Sequence, residues 1–401
     1  MQIDLAVSKK ITLPAGYKKT GVKQVFKALD YNCLFVGGCV RDVVLKHISS
    51  DIDIATPLLP QEVMDRLSKA NIKAIATGIE HGTVTAVSHG VSMEITTLRR
   101  DVATDGRRAV VTFSTDWHED AQRRDFTFNS LLMDLRGHIY DPTGQGLSDL
   151  NERRVAFIGD ARARVREDYL RILRYFRFCA RYDMAFDNDI LDVFTQEVEG
   201  LERVSKERVT AEIFKILESD APQKAVNMLA SYPIFSWFGK SCAYLDHFCA
   251  VQKQYDAYSL IGRLFLICSG GSLAVKTHLS LSNRDVSTLS ELSRFIGEYP
   301  HKTIDCFLYY YNHSTLTQGV IYLYASGSIS KDTLAFILSE VKNWTAPIFP
   351  INGGMLIEEG YEPGARLGKA LRHVEEWWVA EKFAPKRDAC LYEAIKWFSK
   401  N

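Results

Sequence analysis

No run of 18 or more consecutive apolar residues occurs anywhere in the 401-residue chain, so nothing in it has the length of apolar helix that a bilayer demands. Residues 1–19 mix charges and lack the apolar stretch of a secretory signal, so the sequence leads to an expectation of neither membrane insertion nor secretion, and of the cytoplasm as compartment. An excess of charge is also missing. Lysine plus arginine equals aspartate plus glutamate at 49 each, so any attraction to a polyanion must come from the local distribution of charge. The eight cysteines, Cys33, Cys39, Cys179, Cys242, Cys249, Cys268, Cys306 and Cys390, lack paired zinc-ligand spacing and in a reducing compartment are expected to stay thiols. There is no internal repeat and no low-complexity tract.

What is present is a 46% hydrophobic chain long enough for two or more domains. Up to about residue 150, short β-rich runs at 33–36, 51–55, 83–88, 91–98, 110–113 and 138–140 alternate with helical stretches. This pattern predicts an α+β head with a small mixed sheet. Beyond residue 153 the pattern becomes amphipathic and helical, over 168–182, 190–200, 208–217 and 221–230, and the remainder is expected to be nearly all helix. Pro347, Pro350, Gly353, Gly354, Gly360, Pro363, Gly364 and Gly368 predict a C-terminal region of short helices.

The most informative stretch is Gly37-Gly38-Cys39-Val40-Arg41-Asp42, followed after eight intervening residues by Asp51-Ile52-Asp53. A short apolar run enters the glycine pair, where the backbone can turn tightly and approach a ligand. The spacing predicts a helix over 40–46, whose N–H groups, with Arg41 as a cation, would face a phosphate. Strand alternation puts Asp51 and Asp53 on one face. Two adjacent carboxylates repel unless a cation lies between them, and Mg²⁺ prefers such hard oxygen ligands and bridges them to nucleotide phosphates. Either element alone is common in surface loops; within one strand-turn-helix-strand unit, the layout is that of a metal-dependent nucleotidyl transferase.

Downstream, Glu94 shares a strand face with Thr96 and is a candidate third carboxylate, with an ordinary pairing to Arg99 or Arg100 as the alternative. Arg123-Arg124-Asp125 precedes an apolar helix start, where the arginines suit triphosphate oxygens and the aspartate can accept from a ribose hydroxyl. The plainer alternative makes Asp125 a helix cap. In the run 164–178, Asp168 and Arg171 fall three apart on one expected helix face, with Arg164 and Arg174 near the same stripe. An Asp acceptor beside an Arg donor matches the amino donor and ring-nitrogen acceptor of cytosine and adenine, and mismatches uracil and guanine. The competing reading is an intrahelical salt bridge. Between residues 151 and 181, nine arginines (153, 154, 162, 164, 166, 171, 174, 177, 181) stand against four acids (152, 160, 167, 168), a local excess suited to phosphates.

These motifs together resemble the class II branch of the tRNA nucleotidyltransferase and poly(A) polymerase family, and within it the bacterial CCA-adding type, over most of the chain. The resemblance implies a head (1–150), a nucleotide-selecting and RNA-binding neck (151–220), a body (221–345) and a tRNA-binding tail (346–401). It assigns Asp51 and Asp53 to two catalytic Mg²⁺ ions, with Glu94 as the candidate third ligand. Gly37, Gly38, Arg41, Arg124, Asp125, Asp168, Arg171 and Arg174 become the nucleotide-binding set, and CTP and ATP the substrates. Glu207 and Arg208, in Glu207-Arg208-Val209-Thr210-Ala211-Glu212, take a supporting role. Residues 101–120, including Asp105-Gly106-Arg107-Arg108, are similar to the flexible loop of CCA-adding and A-adding members, which argues against a CC-adding enzyme. The implied partner is tRNA, with no DNA and no membrane. An A-adding enzyme and a poly(A) polymerase are rivals within the class, and a non-catalytic RNA-binding protein is the rival outside it.

Overall fold

The computed structural model describes residues 4–47, 51–105, 108–238, 243–268 and 272–400. Contacts within the chain divide it into two compact units, 1–219 and 220–401.

The first unit is built on an eight-stranded sheet: β1 (Val7–Lys10), β2 (Leu34–Val36), β3 (Asp53–Thr56), β4 (Lys73–Gly78), β5 (Thr83–Ser88), β6 (Val91–Thr97), β9 (Leu132–Met133) and β10 (His138–Tyr140), in the order β1-β10-β9-β2-β3-β6-β5-β4. All neighbours are antiparallel except β3 and β6, which run parallel. β2 is a run of three apolar residues, all buried, as a central strand covered on both faces requires. β5 instead alternates, with Val84, Ala86 and Ser88 inward, the pattern of a half-buried strand. A separate hairpin pairs β7 (Arg99–Asp105) with β8 (Arg108–Phe113). Thus part of the expected loop 101–120 is a hairpin, and its C-terminal end is helical; Gly106 and Arg107 lie outside the described residues.

Nine α-helices are described in this unit: α1 (Thr20–Ala28), α2 (Gly38–Val44), α3 (Pro60–Lys69), α4 (Trp117–Gln122), α5 (Gly146–Asn151), α6 (Ala161–Glu167), α7 (Leu170–Tyr182), α8 (Asn188–Glu197) and α9 (Lys206–Leu217). Aspartates cap several of them. Asp116 accepts from His118 N at 2.7 Å, and Asp160 from Ala163 N at 2.8 Å. The single helix expected over 168–182 is a correction. Asp168 is extended (φ −154°, ψ 102°) between α6 and α7, and its carboxylate accepts from Leu170 N at 3.2 Å. A short acceptor side chain just before an apolar run competes with the helix for backbone donors and ends it. α7 then buries Leu170, Leu173, Phe176 and Phe178. Phe178 packs edge-on against Phe126 and Phe128, at centroid distances of 5.4 and 5.2 Å, which joins α7 to the segment that leads into β9.

The named elements of the second unit are all helices, from Gln223–Ala230 to Arg387–Lys400, with one isolated antiparallel bridge between Phe238 and Cys268 among its described residues. Leu264, Phe295, Phe307, Leu316 and Val320 are buried in its larger part. A second cluster gathers Ile351, Leu356, Val374, Trp378 and Cys390 near the C-terminus, with Phe349 against it. Among the described residues no helix is long and apolar enough to cross a membrane.

Candidate active site

The glycine turn forms at the end of β2. Gly37 has φ +72° and ψ −126°, a conformation open to glycine and closed to residues with a Cβ. A Cβ there would also lie 3.3 Å from Arg124 Nη1. The turn is tied down by Gly37 N donating to Leu131 O at 3.1 Å, and α2 starts at Gly38, two residues earlier than the spacing predicts.

β3 lies antiparallel beside β2, pairing Leu34 with Ala55 and Phe35 with Ile54. Asp53 therefore sits next to the glycine end of β2. Asp51 precedes the strand, although the ladder extends toward it through Glu94 N donating to Ile52 O at 3.0 Å. The parallel pairing places Glu94 of β6 in register with Asp53. The alternative partners for Glu94 are engaged elsewhere: Arg99 donates to His81 O and Arg100 reaches Glu119. Burial first, then the charges of Glu94 and Asp51, push the Asp53 carboxyl up to about 6, against the weaker pull of Arg124 and Arg41. Such a group of acids is short of positive charge. Among the described residues no three His, Cys, Asp or Glu side chains make a preformed metal cage. That suits Mg²⁺, which commonly takes one or two carboxylates and completes its octahedron with water and substrate phosphates.

Arg41 is placed differently from the expectation of an open phosphate ligand. It is 6% exposed. Its Nε and Nη2 donate to Asp42 Oδ1 at 3.0 and 2.8 Å, and Nη1 donates to Asn129 Oδ1 at 2.6 Å. Its guanidinium lies 4.9 Å from both the Phe178 and the Tyr182 ring centroids. Arg41 Nη2 nevertheless faces Gly38, and Arg124, whose Nε and Nη2 bind Asp120 Oδ2 at 3.1 and 2.8 Å, faces Gly37 through its Nη1.

Asp120 is a residue that the sequence reading passed over. Its other oxygen takes both Nε and Nη2 of Arg123, at 2.9 and 2.7 Å, so one buried carboxylate orients two arginines. Burial pushes Asp120 up, and Arg124 and Arg123 more than offset it, holding the carboxyl below its ordinary value. The signal was available: Asp120 stands three and four residues before the arginines, the spacing of side chains that meet on a helix.

Asp125 accepts from Phe126 N at 2.8 Å and Asn129 Nδ2 at 2.9 Å through one oxygen, and from Arg174 Nε at 2.7 Å through the other. Two expected nucleotide ligands, Asp125 and Arg174, are thus brought together. Despite burial, Arg174 holds the Asp125 carboxyl below its ordinary value.

Asp168 and Arg171 do not form the intrahelical pair that their spacing suggests. Asp168 Oδ2 binds Arg208 Nη2 on α9 at 2.7 Å. Arg171 Nη1 donates to Glu167 Oε2 and to Arg164 O, each at 2.7 Å. The first turn of α9 carries Glu207, and Glu212 on the same helix binds Arg177 at 3.1 Å. Both base-facing candidates are therefore held by neighbours other than each other. The side chains of Asp105 and Arg108 are outside the described set, as are Gly106 and Arg107 altogether.

This geometry has relatives. Residues 33–156 match the poly A polymerase head domain, and residues 183–240 match the probable RNA and SrmB-binding site of polymerase A. The human mitochondrial CCA tRNA nucleotidyltransferase 1 is 31% identical over 390 residues, an alignment spanning 92% of this chain and 87% of the relative. A CCA-adding enzyme from Streptococcus pyogenes serotype M4 is 31% identical over 383 residues, covering 92% and 94%. The solved structure of the Bacillus stearothermophilus CCA-adding enzyme in complex with CTP superposes with a TM-score of 0.78 at 25% identity, over 92% of this chain and 94% of that one.

Proposed function

The chain belongs to the CCA tRNA nucleotidyltransferase family, and on that premise we propose that it adds C, C and A from CTP and ATP to the 3′ end of tRNA without a nucleic-acid template, releasing pyrophosphate. The observation that carries this reading is Asp53, pushed up to about 6 by burial, Glu94 and Asp51 beside a glycine turn that faces Arg124. An acid cluster short of cations next to a phosphate-sized turn is what a nucleotide arriving with Mg²⁺ completes.

In this reading Asp51 and Asp53 would hold two Mg²⁺ ions, with Glu94, in register with Asp53, as the candidate third carboxylate. Bound there, Mg²⁺ supplies Lewis acidity, easing deprotonation of the primer 3′-hydroxyl and neutralising the triphosphate during in-line displacement. The backbone of Gly37 and Gly38 approaches the phosphates, and Arg124, aimed by Asp120, brings the positive charge. Arg41, whose Nη2 faces Gly38, adds positive charge while held by Asp42 and Asn129. Asp125, held by Arg174 and Asn129, presents its carboxylate to the ribose. Asp168 and Arg171, steadied by Arg208 and Glu167, read the base edge that CTP and ATP share. The finer division assigns 1–150 to the head, 151–220 to the neck, 221–345 to the body and 346–401 to the tail, the last three gripping tRNA through backbone and shape. The compartment proposed with this activity is the cytoplasm, where the seven described free cysteines would stay thiols.

The test supplies purified protein and Mg²⁺ with tRNA transcripts ending before CCA, after C and after CC, each nucleotide offered singly and together. Products are sized to one nucleotide. Addition of C, C and A that then stops is expected. A alone on the CC-ended transcript would make it an A-adding enzyme, a long A tail a poly(A) polymerase, and no incorporation an RNA-binding protein.

A further inference from the structure

Arg41, Asp42, Asn129, Asp125, Arg174 and Tyr182 form a chain of polar contacts inside the first unit, and α7, which carries both Arg174 and Tyr182, closes it into a ring. Arg41 Nη1 donates to Asn129 Oδ1 at 2.6 Å, and Asn129 Nδ2 to Asp125 Oδ1 at 2.9 Å. Arg174 Nε donates to Asp125 Oδ2 at 2.7 Å. Eight residues further along α7, the Tyr182 hydroxyl donates to Asp42 Oδ1 at 2.6 Å, the same oxygen that receives Arg41 Nε and Nη2. Arg174, Phe178 and Tyr182 are spaced by four and share one stripe of α7. The Arg41 guanidinium lies over the last two of these rings.

Asp42 and Tyr182 both contact Arg41, and Asp42 also meets Arg181 at 3.5 Å, but neither is itself assigned to nucleotide, metal or primer, so the proposed chemistry does not by itself use them. Burying charges at such a place is a poor way to gain stability, since well-packed apolar side chains of the same volume serve as well or better. What a fully satisfied buried ring supplies is one geometry. Each part of the proposed nucleotide site leads into this ring. The turn for the phosphates continues into α2 and Arg41, the ribose acceptor is Asp125 itself, and the base reader Arg171 lies one turn before Arg174 on α7. Burial pushes the Tyr182 hydroxyl up to about 12, so it remains a donor throughout the working pH range.

Resting on the proposed nucleotidyl transfer, we infer that Tyr182 and Asp42 are positioning residues for nucleotide choice: by fastening the far end of α7 to α2 they set the distance between the base-reading residues and the phosphate turn. A base read by two hydrogen bonds is discriminated only while its readers are held within about half an ångström.

Tyr182→Phe removes one oxygen and keeps the ring beneath Arg41. Wild type and variant are compared in single-turnover incorporation of CTP and UTP on tRNA ending before CCA, with ATP on the CC-ended transcript, alongside tRNA affinity and thermal melting. The expected result is a higher KM for CTP and ATP and a roughly tenfold fall in the preference for CTP over UTP, the size of one hydrogen bond to a charged group. tRNA affinity is expected to stay unchanged. Asp42→Asn, which keeps the volume, is expected to lower the same preference, and the double variant to lose less than the product of the two single effects, because both act on one link. A lower melting temperature with the CTP-to-UTP preference intact in both single variants would overturn the inference and leave the ring a purely structural element. If wild-type protein incorporates neither nucleotide, the proposed function fails first, and that outcome is distinct from a normal wild type beside indifferent variants.

Discussion

Two groups of aspartates in the first unit meet burial with opposite results. Asp120 and Asp125, 3% and 9% exposed, are held below their ordinary values, each with arginine nitrogens in direct contact. Asp53, less deeply buried, is pushed up to about 6 by burial first and then by the charges of Glu94 and Asp51, which outweigh the pull of Arg124 and Arg41. Burial raises all three; the sign of the nearest charge decides the outcome. The satisfied group builds the scaffold. The unsatisfied one marks where the protein leaves positive charge to be brought from outside.

The sharpest way to break this comparison is Asp53→Ala. Losing one metal carboxylate removes about 4 kcal/mol of transition-state stabilisation, so incorporation of labelled CTP is expected to fall roughly a thousandfold, with the fold intact by circular dichroism. Residual transfer near the wild-type level would remove Asp53 from the metal site. On the satisfied side, Asp120→Asn leaves Arg123 and Arg124 without their shared anion and is expected to destabilise the protein by about 3 kcal/mol in denaturant unfolding, as breaking one side of a buried pair does. A loss confined to activity would make Asp120 a ligand-facing group instead.

A third test uses pH. An unfolded aspartate releases its proton near 4, whereas folded Asp53 holds it to about 6. Between those values the folded state binds the extra proton, so stability contributed at Asp53 is present below about pH 4 and lost as pH rises through 6, by about 2 kcal/mol. Melting wild type against Asp53→Asn across this window isolates the effect from Asp120 and Asp125, whose shifts run the other way. Mg²⁺ at neutral pH is expected to raise the melting temperature of wild type and not of Asp53→Asn, and chelation to reverse it. The smallest effect belongs to Glu94→Gln, which removes the largest neighbouring charge acting on Asp53. Half-saturating Mg²⁺ is expected to rise roughly tenfold in the incorporation assay, with activity recovered at saturating metal.

The proposed metal-binding end of this arrangement could be read in the chain because its parts are local. Gly37, Gly38, Asp51 and Asp53 fall within seventeen residues, and strand and turn geometry bring them together. Glu94 was reachable through strand pairing, though its parallel register with Asp53 is a property of the sheet. The base-reading end was read less well. Helical periodicity carried α7 through Asp168, whereas the side chain of Asp168 caps the following turn and its charge is taken by Arg208, forty residues on. Tyr182 carried no signal at all, since its partner Asp42 is 140 residues away. Arg41 was assigned to phosphate on its position beside the glycines; nothing near it in sequence discloses the aromatic rings of Phe178 and Tyr182. The strands β4 and β9 were missed for related reasons. β4 is an edge strand with little apolar alternation, and β9 has only two residues, so pairing defines it where propensity cannot.

The surroundings of Arg41 bear on which replacements this chain can accept at that position. A flat, forked cation lies 4.9 Å from the centroids of two rings that stack on each other, while its edge engages a carboxylate and an amide at once. Lysine would carry the same charge there as a single hydrated point, unable to stack as a plane or to reach both acceptors. Position 41 thus selects for shape ahead of charge, and an exchange that a substitution matrix scores as mild is, at this site, the removal of a keystone.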